Sequence, residues 1–331
     1  MPDQIEQHKF WIDPKERVEY YLNHQTSFKI NLQQLQELKE RDVWTRKEVR
    51  YMSYADYKGS WKHWYCKNLM HLPGFREIQS LPFLEEYRDL HSLIDFLLPF
   101  DLNDNSIEDF KFPIFYGEHG DTGNIPLIGK ARKIHDKFRV LYELRSLRFN
   151  VPCFKVDKND RNWSAKKDDV SWRGATTGEE IREKFVKNYY SLYNIGFSDV
   201  KQKPHLAAFI RHRMSIKEQL KYKFLVSLQG NDTASNIRWI LHSNSVPIMP
   251  KPVWTSWMME EKLLPNVHYL QLNDDLSNLE ELLEWAREHD NECKEMAQNG
   301  RDFVAQFLDK NYDAYVKMLL LEEYSKRLQI I

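Results

Sequence analysis

Short apolar runs alternate with helical stripes in the second half of the chain, and this pattern predicts an α/β fold. Residues 224–228 are an apolar run, 229–232 have the composition of a tight turn, and 233–243 carry apolar residues at helical spacing. A second apolar run follows at residues 245–249. Strand, helix and strand in this order predict a βαβ unit of a doubly wound sheet, in which ligands bind beyond the carboxyl ends of the strands.

The turn inside this unit has the chemistry of a phosphate site. Gly230 lets a ligand approach the backbone closely, and the first amides of the predicted helix, which begins at Thr233, carry partial positive charge. For this unit alone, a turn that only reverses the chain is an equal alternative.

A second loop with similar chemistry covers residues 173–178. Arg173 can bind an oxyanion bidentately, and the neighbouring threonine hydroxyls can donate hydrogen bonds. Thr177 could equally cap the helix predicted at 179–190, with Glu180 closing a capping box.

The first half of the chain offers one loop suited to acid/base chemistry. A strand predicted at 112–116 leads into residues 117–123, a glycine-rich loop that contains Glu118, His119 and Asp121. Two carboxylates and a histidine in such a loop are expected to face a solvated cleft. A surface hairpin is the alternative.

After a further predicted strand at 125–128, Lys130 and Arg132 could face a phosphate or an anionic acceptor, or form a solvated edge. Helices are predicted at 31–41 and 84–98, and the aromatic residues between positions 51 and 65 are interpreted as packing.

The remaining pattern suggests the division into domains. A strand is predicted at 151–154, and the polar residues 157–169 are interpreted as a linker. We therefore expect a first domain with a helical extension at 1–160, a second domain at 161–310, and a C-terminal helix at 311–331 that could pack back on the first domain. The apolar stripe Leu279, Leu282, Leu283 and Ala286 predicts a helix, and two more helices are predicted at 290–308 and 312–328.

Composition narrows the classes of function. The 331 residues contain 48 lysines and arginines against 49 acidic residues, so no global charge attracts nucleic acid, and an RNA-binding role is disfavoured. Three scattered cysteines without CxxC spacing argue against a zinc site or a disulfide framework. The sequence shows neither an apolar signal core nor a run of about 20 apolar residues. We expect a cytoplasmic protein, at most peripheral to a membrane.

Four stretches occur in the order and spacing of glycosyltransferase family 90: WRGATTG, KYKFLVSLQGNDTASNIRWILHSNSVPIM, VHYLQLNDDLSNLEELLEW and EEYSKRL. The chain most resembles the branch that contains bacterial lipopolysaccharide core glycosyltransferases. The resemblance implies a GT-B fold, with two Rossmann-like domains facing a central cleft and extra N-terminal helices in this chain. It implies that the first domain (1–160) lies on the acceptor side and that the second (161–310) binds the nucleotide sugar. It also implies an inverting transfer of a hexose, glucose or galactose, from a UDP-sugar to a lipopolysaccharide core or related glycan, without a metal or other cofactor. A non-catalytic nucleotide- or glycan-binding module of the same fold is the alternative.

The resemblance also assigns roles by position. It implies that the donor is bound by two groups of residues, Arg173, Gly174, Ala175 and Thr176 in the first loop and Gly230, Asn231, Asp232 and Arg238 in the second. It implies that Asp121 is the catalytic base, or Glu118 if the alignment is shifted by three residues. Many relatives have arginine where this chain has Asn236, so the cation that meets the diphosphate could be Arg173 or Arg238.

Overall fold

A computed structural model describes residues 9–30, 49–52, 112–115, 128–143, 146–178 and 180–330. The helices predicted at 31–41 and 84–98 and most of the aromatic cluster lie outside these ranges. The described helices are α1 Pro14–Tyr21, α2 Ser146–Asn159, α3 Ile181–Tyr189, α4 Ile216–Gln219, α5 Ile237–Leu241, α6 Leu279–Glu288, α7 Asp290–Ala305 and α8 Lys310–Arg327. The described strands are β1 Phe28–Ile30, β2 Val49–Met52, β3 Phe112–Phe115, β4 Ile128–Gly129, β5 Ala131–Lys133, β6 Val140–Leu141, β7 Lys167–Ala175, β8 Asn194–Asp199, β9 Tyr222–Val226, β10 Val246–Pro250, β11 Trp254–Ser256, β12 Leu270–Leu272 and β13 Leu328–Ile330.

The chain divides into two compact units, and neither is continuous in sequence. The large-sheet unit comprises Met1–Ile12 and Arg148–Lys310, and the small-sheet unit comprises Asp13–Leu147 and Asn311–Ile331. The chain therefore leaves the small-sheet unit once and returns to it at its C-terminal end.

The large-sheet unit contains a five-stranded parallel sheet in the order β8-β7-β9-β10-β12. All residues of β9 are buried, as expected for the central strand of a parallel sheet that is covered on both faces. Phe224 and Val226 pack into a core with Phe185 from α3, while Leu225 packs on the opposite face with Trp239 from α5. The mixed α/β fold with a parallel sheet is confirmed.

The order of the strands determines where loops meet. The first strand of the sheet, β7, lies between β8 and β9, so the crossover from β7 to β8 and the crossover from β8 to β9 run in opposite directions. Such a reversal opens a crevice beyond the carboxyl ends of the two strands at which it occurs. Here that crevice lies at the ends of β7 and β9, where the two glycine loops predicted to bind phosphate follow.

Two predictions next to this sheet are wrong. Residues 151–154 belong to helix α2 and not to a strand, because Phe149, Cys153 and Val156 are buried at helical spacing. Residues 157–169 do not form an extended linker. They include the end of α2, a 3-10 turn at Trp163–Ala165 and the start of β7. Side chains fix this stretch: Lys166 donates to Asp160 at 2.5 Å.

The small-sheet unit contains the sheet β2-β3-β4-β6, in which β2 is antiparallel to β3 and the other neighbours are parallel. The strand predicted at 112–116 is confirmed as β3, and the helix predicted at 312–328 is confirmed as α8. Helices α1 and α8 are joined by ion pairs, Arg17 with Asp313 and Arg327 with Glu19. Within the part of the chain that the structure describes, no helix is long and apolar enough to cross a membrane.

Candidate functional site

The two glycine loops meet at the crevice between β7 and β9. Gly178 has φ +84°, in the left-handed region, and a Cβ placed on it would overlap with the backbone of Gly230. A Cβ placed on Gly230 would lie 2.9 Å from the Thr177 hydroxyl oxygen. Glycine is therefore required at position 178, where the backbone of the other loop occupies the space of a side chain, and at position 230 a side chain would displace those of Thr177 and Arg182.

Arg182 holds the two loops together. Its Nε donates to the carbonyl of Gln229 at 2.9 Å, and its Nη2 donates to the carbonyl of Leu228 at 2.8 Å. On the other loop, its Nη1 donates to the carbonyl of Ala175 at 3.0 Å and to the Thr177 hydroxyl at 2.6 Å. One guanidinium thus fixes the spacing of both loops and places a positive charge between them.

The sequence analysis missed Arg182, although its position carries a signal. It is the second residue of α3, where the helix dipole disfavours a cation. An arginine at that position is expected to have a partner elsewhere, and here its partners are the two loops. The predicted capping box of Thr177 with Glu180 is wrong: the N-cap is Glu180, without a side-chain bond, and the Thr177 hydroxyl accepts from Arg182.

Other residues predicted in the first loop contribute to its close packing. A Cβ on Gly174 would lie 2.5 Å from the ring of Trp172, so only glycine fits at this position of the strand. Thr176 is buried, and its amide donates to the carbonyl of Asp199 at 3.1 Å. Ala175 provides one of the carbonyls that Arg182 holds.

The second loop is a tight turn and not the beginning of a helix. The amide of Gly230 donates to the carbonyl of Asp232 at 3.1 Å, Asp232 is buried, and Asn231 is half-buried. Helix α5 begins only at Ile237, so the prediction of a helix from Thr233 is wrong. The physical reason is Asn236, whose side-chain amide donates to the carbonyl of Val226 at 2.9 Å and thereby pins the loop back on the end of β9.

The two arginines predicted to meet the diphosphate contact other parts of the large-sheet unit. Arg173 donates to the carbonyl and side-chain oxygens of Asn194 at 2.7 and 2.5 Å, and to the carbonyl of His212 at 2.9 Å. Burial and the neighbouring Arg211 lower its pKa. Arg238 is 1% exposed, lies 4.2 Å from the ring centre of Trp257 and donates to the carbonyl of Phe307 at 2.6 Å.

The remaining predicted residues belong to the small-sheet unit. Glu118, His119 and Asp121 lie outside the described residues. Lys130 is buried. Arg132 is also buried and donates to the carbonyls of Tyr20, Tyr21 and Arg139. Its guanidinium therefore links α1 to the strands of this unit.

A pocket that is open to solvent lies beyond the carboxyl ends of β9 and β10, and its empty space of about 360 Å³ includes part of that solvent. Its lining residues include Gln229 and Thr233 from the second loop, Trp254 from β11, and Glu260. Glu260 is buried and accepts hydrogen bonds from the amide and hydroxyl of Ser256 at 2.6 and 2.8 Å. Burial raises the pKa of its carboxyl. Among the described residues, no group of three or more histidine, cysteine or acidic side chains is placed to hold a metal.

Comparison with known proteins identifies the family. The signature described as "Glycosyl transferase family 90" matches residues 142–331, which is more than half of the chain. The chain belongs to this family. Members of glycosyl transferase family 90 transfer a sugar from a donor to an acceptor, so the chain is a glycosyltransferase. The matched residues include both glycine loops, Arg182 and the pocket, and they do not include residues 116–127.

The chain is similar to several proteins whose activity is given by their names. O-glucosyltransferase LpsA of Dichelobacter nodosus is 30% identical over 226 residues, which cover 66% of this chain and 70% of that protein. Protein O-glucosyltransferase 1 of Homo sapiens is 25% identical over 170 residues, or 50% of this chain and 43% of the human protein. Protein O-glucosyltransferase 2 of Danio rerio is 26% identical over 147 residues, or 43% of this chain and 29% of that protein. The match thus spans less than half of each vertebrate relative.

The close contact between the two glycine loops predicts the effect of a substitution on stability. Gly178→Ala is expected to lower the free energy of unfolding by at least about 2 kcal/mol, because a left-handed alanine costs about 1–2 kcal/mol and its methyl group forces the loops apart. Chemical denaturation measures this change. Ser191→Ala, at an exposed turn, is the control and should change stability little. Equal stability of Gly178→Ala and the unchanged chain would contradict the close approach.

Proposed function

We propose that this chain transfers glucose, with inversion at the anomeric carbon, from UDP-glucose to a hydroxyl group of a lipopolysaccharide core or related glycan. Membership of family 90 supports transfer of a sugar, and the names of three relatives, which are O-glucosyltransferases, support glucose and an oxygen acceptor. The lipopolysaccharide acceptor rests on the resemblance of the motifs to the bacterial branch. Galactose is the competing donor sugar.

The observation that carries the proposal is the meeting of the two glycine loops at the crevice between β7 and β9. Gly178 and Gly230 let the two loops meet at the crevice where ligands bind in doubly wound folds, and the guanidinium of Arg182 supplies a positive charge between the loops that a diphosphate can meet. We assign the donor cation to Arg182 because its guanidinium lies between the two loops, whereas the guanidiniums of Arg173 and Arg238 donate to partners away from the contact between the loops.

The proposed reaction needs one base. The acceptor oxygen forms a bond to the anomeric carbon as the bond to the UDP oxygen breaks, and the hydroxyl proton passes to a carboxylate. We propose Asp121 as this base, with Glu118 as the alternative, and His119 as a residue that orients the acceptor. The negative charge that develops on UDP is stabilised by the loop amides and Arg182, and no metal is required. A GT-B arrangement, with both units facing a central cleft, is part of the proposal.

Transfer assays test this function. The purified chain is incubated with UDP-glucose or UDP-galactose and a panel of glycan acceptors, with and without EDTA, and released UDP and glycosylated product are measured. We expect product with UDP-glucose that is insensitive to EDTA. Binding of UDP without transfer to any acceptor would instead support the non-catalytic module.

The base is tested by two matched variants. Asp121→Asn is expected to lower kcat by about 100-fold or more and to leave the affinity for UDP nearly unchanged, because a base acts in the transition state. Glu118→Gln removes a carboxylate three residues away and is the control. If Glu118→Gln shows the larger loss, Glu118 is the base, and if neither variant loses activity, the assignment to this loop is wrong.

We also propose that the chain acts on the cytoplasmic side of the inner membrane, at most as a peripheral protein. Among the described residues, Cys293 is a buried thiol that forms no disulfide, as is common in a reducing compartment. Recovery of the native protein from the periplasm would contradict this location.

A further inference from the structure

The segment that follows β8 has a charge unlike that of the rest of the chain. Residues 200–217 contain five lysines and arginines, two histidines and no acidic residue, whereas the whole chain has 48 lysines and arginines and 49 acidic residues. Lys201 and Arg213 are exposed, and so is Lys217 in helix α4. Positive charge that is concentrated on one exposed segment favours an anionic partner.

The acidic residues in contact with this segment leave part of its charge unpaired. The contacts are Glu183 with Lys187 and Lys203, Asp199 with Lys201, and Glu218 with Ser215. By contrast, no ion pair joins Arg213 or Lys217 to another residue that the structure describes. These two cations are therefore available to an anion outside the chain.

Apolar side chains are exposed beside these cations. Ile210 is 45% exposed, and Leu192, in the turn after α3, is 56% exposed. The two stretches are joined, because the Tyr190 hydroxyl donates to the carbonyl of Ile210 at 3.4 Å and Arg211 donates to the carbonyl of Tyr190 at 2.6 Å. Exposed apolar side chains and unpaired cations thus lie on adjoining stretches of one surface.

This surface follows β8, the edge strand of the large sheet. The amide of Arg211 donates to the carbonyl of Phe197 at 2.8 Å, so the segment covers the edge of the strand. Protection of an edge strand explains the path of the backbone, but it requires neither an exposed isoleucine nor a run of cations. We call the exposed side chains of residues 190–192 and 200–217 the basic edge surface. Apolar side chains surrounded by charged ones are typical of an interaction site.

The chemistry of the basic edge surface fits an anionic bilayer better than a nucleic acid. At a bilayer, basic side chains meet the headgroups, and apolar side chains enter the boundary with the acyl chains. Single-stranded nucleic acid instead needs open aromatic faces on which bases stack. Here Tyr190 packs edge-on against Phe209, with ring centres 5.4 Å apart, and Arg211 lies 4.4 Å from the Tyr190 ring centre. These rings pack against protein groups and do not form a stacking platform.

We propose that the basic edge surface binds an anionic lipid bilayer, with its cations at the lipid phosphates and Leu192 and Ile210 between the headgroups. The surface begins directly after Asp199, whose carbonyl accepts from the amide of Thr176 in the first glycine loop at 3.1 Å. Docking therefore holds the candidate site near the membrane. The inference rests on the proposed function in one respect: an acceptor carried by a lipid gives this docking its use.

Sedimentation of the full chain with lipid vesicles tests the surface. One set of vesicles contains equal parts of phosphatidylglycerol and phosphatidylcholine, and the other contains phosphatidylcholine alone. The unchanged chain is expected to bind the anionic vesicles at least about tenfold more tightly, because each basic residue at an anionic surface contributes about fivefold in affinity. This binding should weaken as the salt concentration rises above about 0.1 M.

Two pairs of matched variants locate the surface. Arg213→Glu reverses an unpaired charge and should weaken binding to anionic vesicles by about tenfold or more, whereas Lys294→Glu, on helix α7 beside β10, should change it less than about threefold. Ile210→Ser should weaken binding as well. Leu264→Ser is its control, because Leu264 is 52% exposed and lies in the loop before β12, at the opposite edge of the sheet.

UDP affinity and transfer to a soluble glycan need no membrane, so they separate this inference from the proposed function. Both should be unchanged in Arg213→Glu. Transfer without binding to anionic vesicles overturns the docking surface alone, and vesicle binding without any transfer overturns the proposed function alone. Equal effects of Arg213→Glu and Lys294→Glu overturn the location of the surface.

Two further results would assign the basic edge surface to another partner and contradict the proposal. One is binding of single-stranded RNA, lost in Arg213→Glu, by a chain that does not bind vesicles. The other is a dimer of the unchanged chain that Ile210→Ser converts to a monomer, since the apolar side chains would then contact a second copy. Size-exclusion chromatography with light scattering measures the oligomeric state.

Discussion

Arg182→Ala is expected to abolish measurable sugar transfer and to weaken UDP binding by at least about 100-fold. Hydrogen bonds from a charged donor contribute about 1.5–3 kcal/mol each, and Arg182 makes four of them to the two loops. Alanine leaves the carbonyls of Ala175, Leu228 and Gln229 without this donor and removes the positive charge between the loops. The loops should then separate, and the donor should lose both its backbone contacts and its counter-charge.

Two comparison variants make this test specific. Lys184→Ala removes an exposed cation from the same helix, α3, and should change UDP affinity less than about threefold, because exposed charges interact weakly. Arg182→Lys keeps the charge but cannot reproduce the planar fork of donors, so it should recover only part of the affinity. UDP affinity is measured by calorimetry, and circular dichroism verifies folding. A folded Arg182→Ala protein with unchanged UDP affinity would show that the donor does not bind at these loops.

Asp313→Ala is expected to lower the free energy of unfolding by about 3–5 kcal/mol, which is the usual cost of removing one partner from a buried ion pair. Asp313 accepts from Arg17 at 3.0 Å and from Lys317 at 2.6 Å, and Lys317 also pairs with Glu143. All four groups are largely shielded from water, and their two positive and two negative charges balance. Without Asp313, the small-sheet unit retains a buried positive charge that lacks its counterion.

The same cluster predicts how stability depends on pH. Burial alone would raise the pKa of Asp313, but Lys317 and Arg17 outweigh burial and lower it. A carboxyl whose pKa is lower in the folded state stabilises the protein at pH values above its unfolded pKa of about 3.9, and this stabilisation is lost as the pH falls towards the folded pKa. The difference in stability between the unchanged chain and Asp313→Asn should therefore be greatest near neutral pH and shrink below about pH 4. Denaturation between pH 3 and pH 7 measures it, and a constant difference would contradict the ionic role of Asp313.

Local apolar patterns predicted most elements of the large sheet. The stripe of Leu279, Leu283 and Ala286 is buried in helix α6 as expected. The run at 224–228 became strand β9, although β9 begins two residues earlier, at Tyr222. The early start has a cause that lies far away in the sequence: Lys223 is buried because it pairs with Asp290 at 2.5 Å. A window of neighbouring residues contains no information on such a partner.

The candidate site was predictable in its loops and not in its side chains. Both loops could be predicted from the sequence because they contain glycines, hydroxyl side chains and turn-forming residues. The role of Arg182 depends on carbonyls 46 and 47 residues away, and only the fold brings them together. Arg173 and Arg238 illustrate the converse. Their positions beside the loops suggested that they bind phosphate. In the structure, Arg173 contacts Asn194 on the edge strand β8 and Arg238 lies over the ring of Trp257, and no sequence motif indicates these partners.

The discontinuous small-sheet unit has a consequence for how the chain is made. A ribosome releases residues 13–147 before residues 148–310 of the large-sheet unit, and residues 311–331 after both. Helix α8 supplies Asp313 and Lys317 to the buried ion cluster, and β13 pairs with β1, from Phe28 with Leu328 to Ile30 with Ile330. Residues 13–147 must therefore wait for residues 311–331 before their unit is complete. The large-sheet unit is different, because nearly all of it is the continuous stretch 148–310. During synthesis, the large-sheet unit can acquire its core while Arg17 and Glu143 still lack the partners that will cover them.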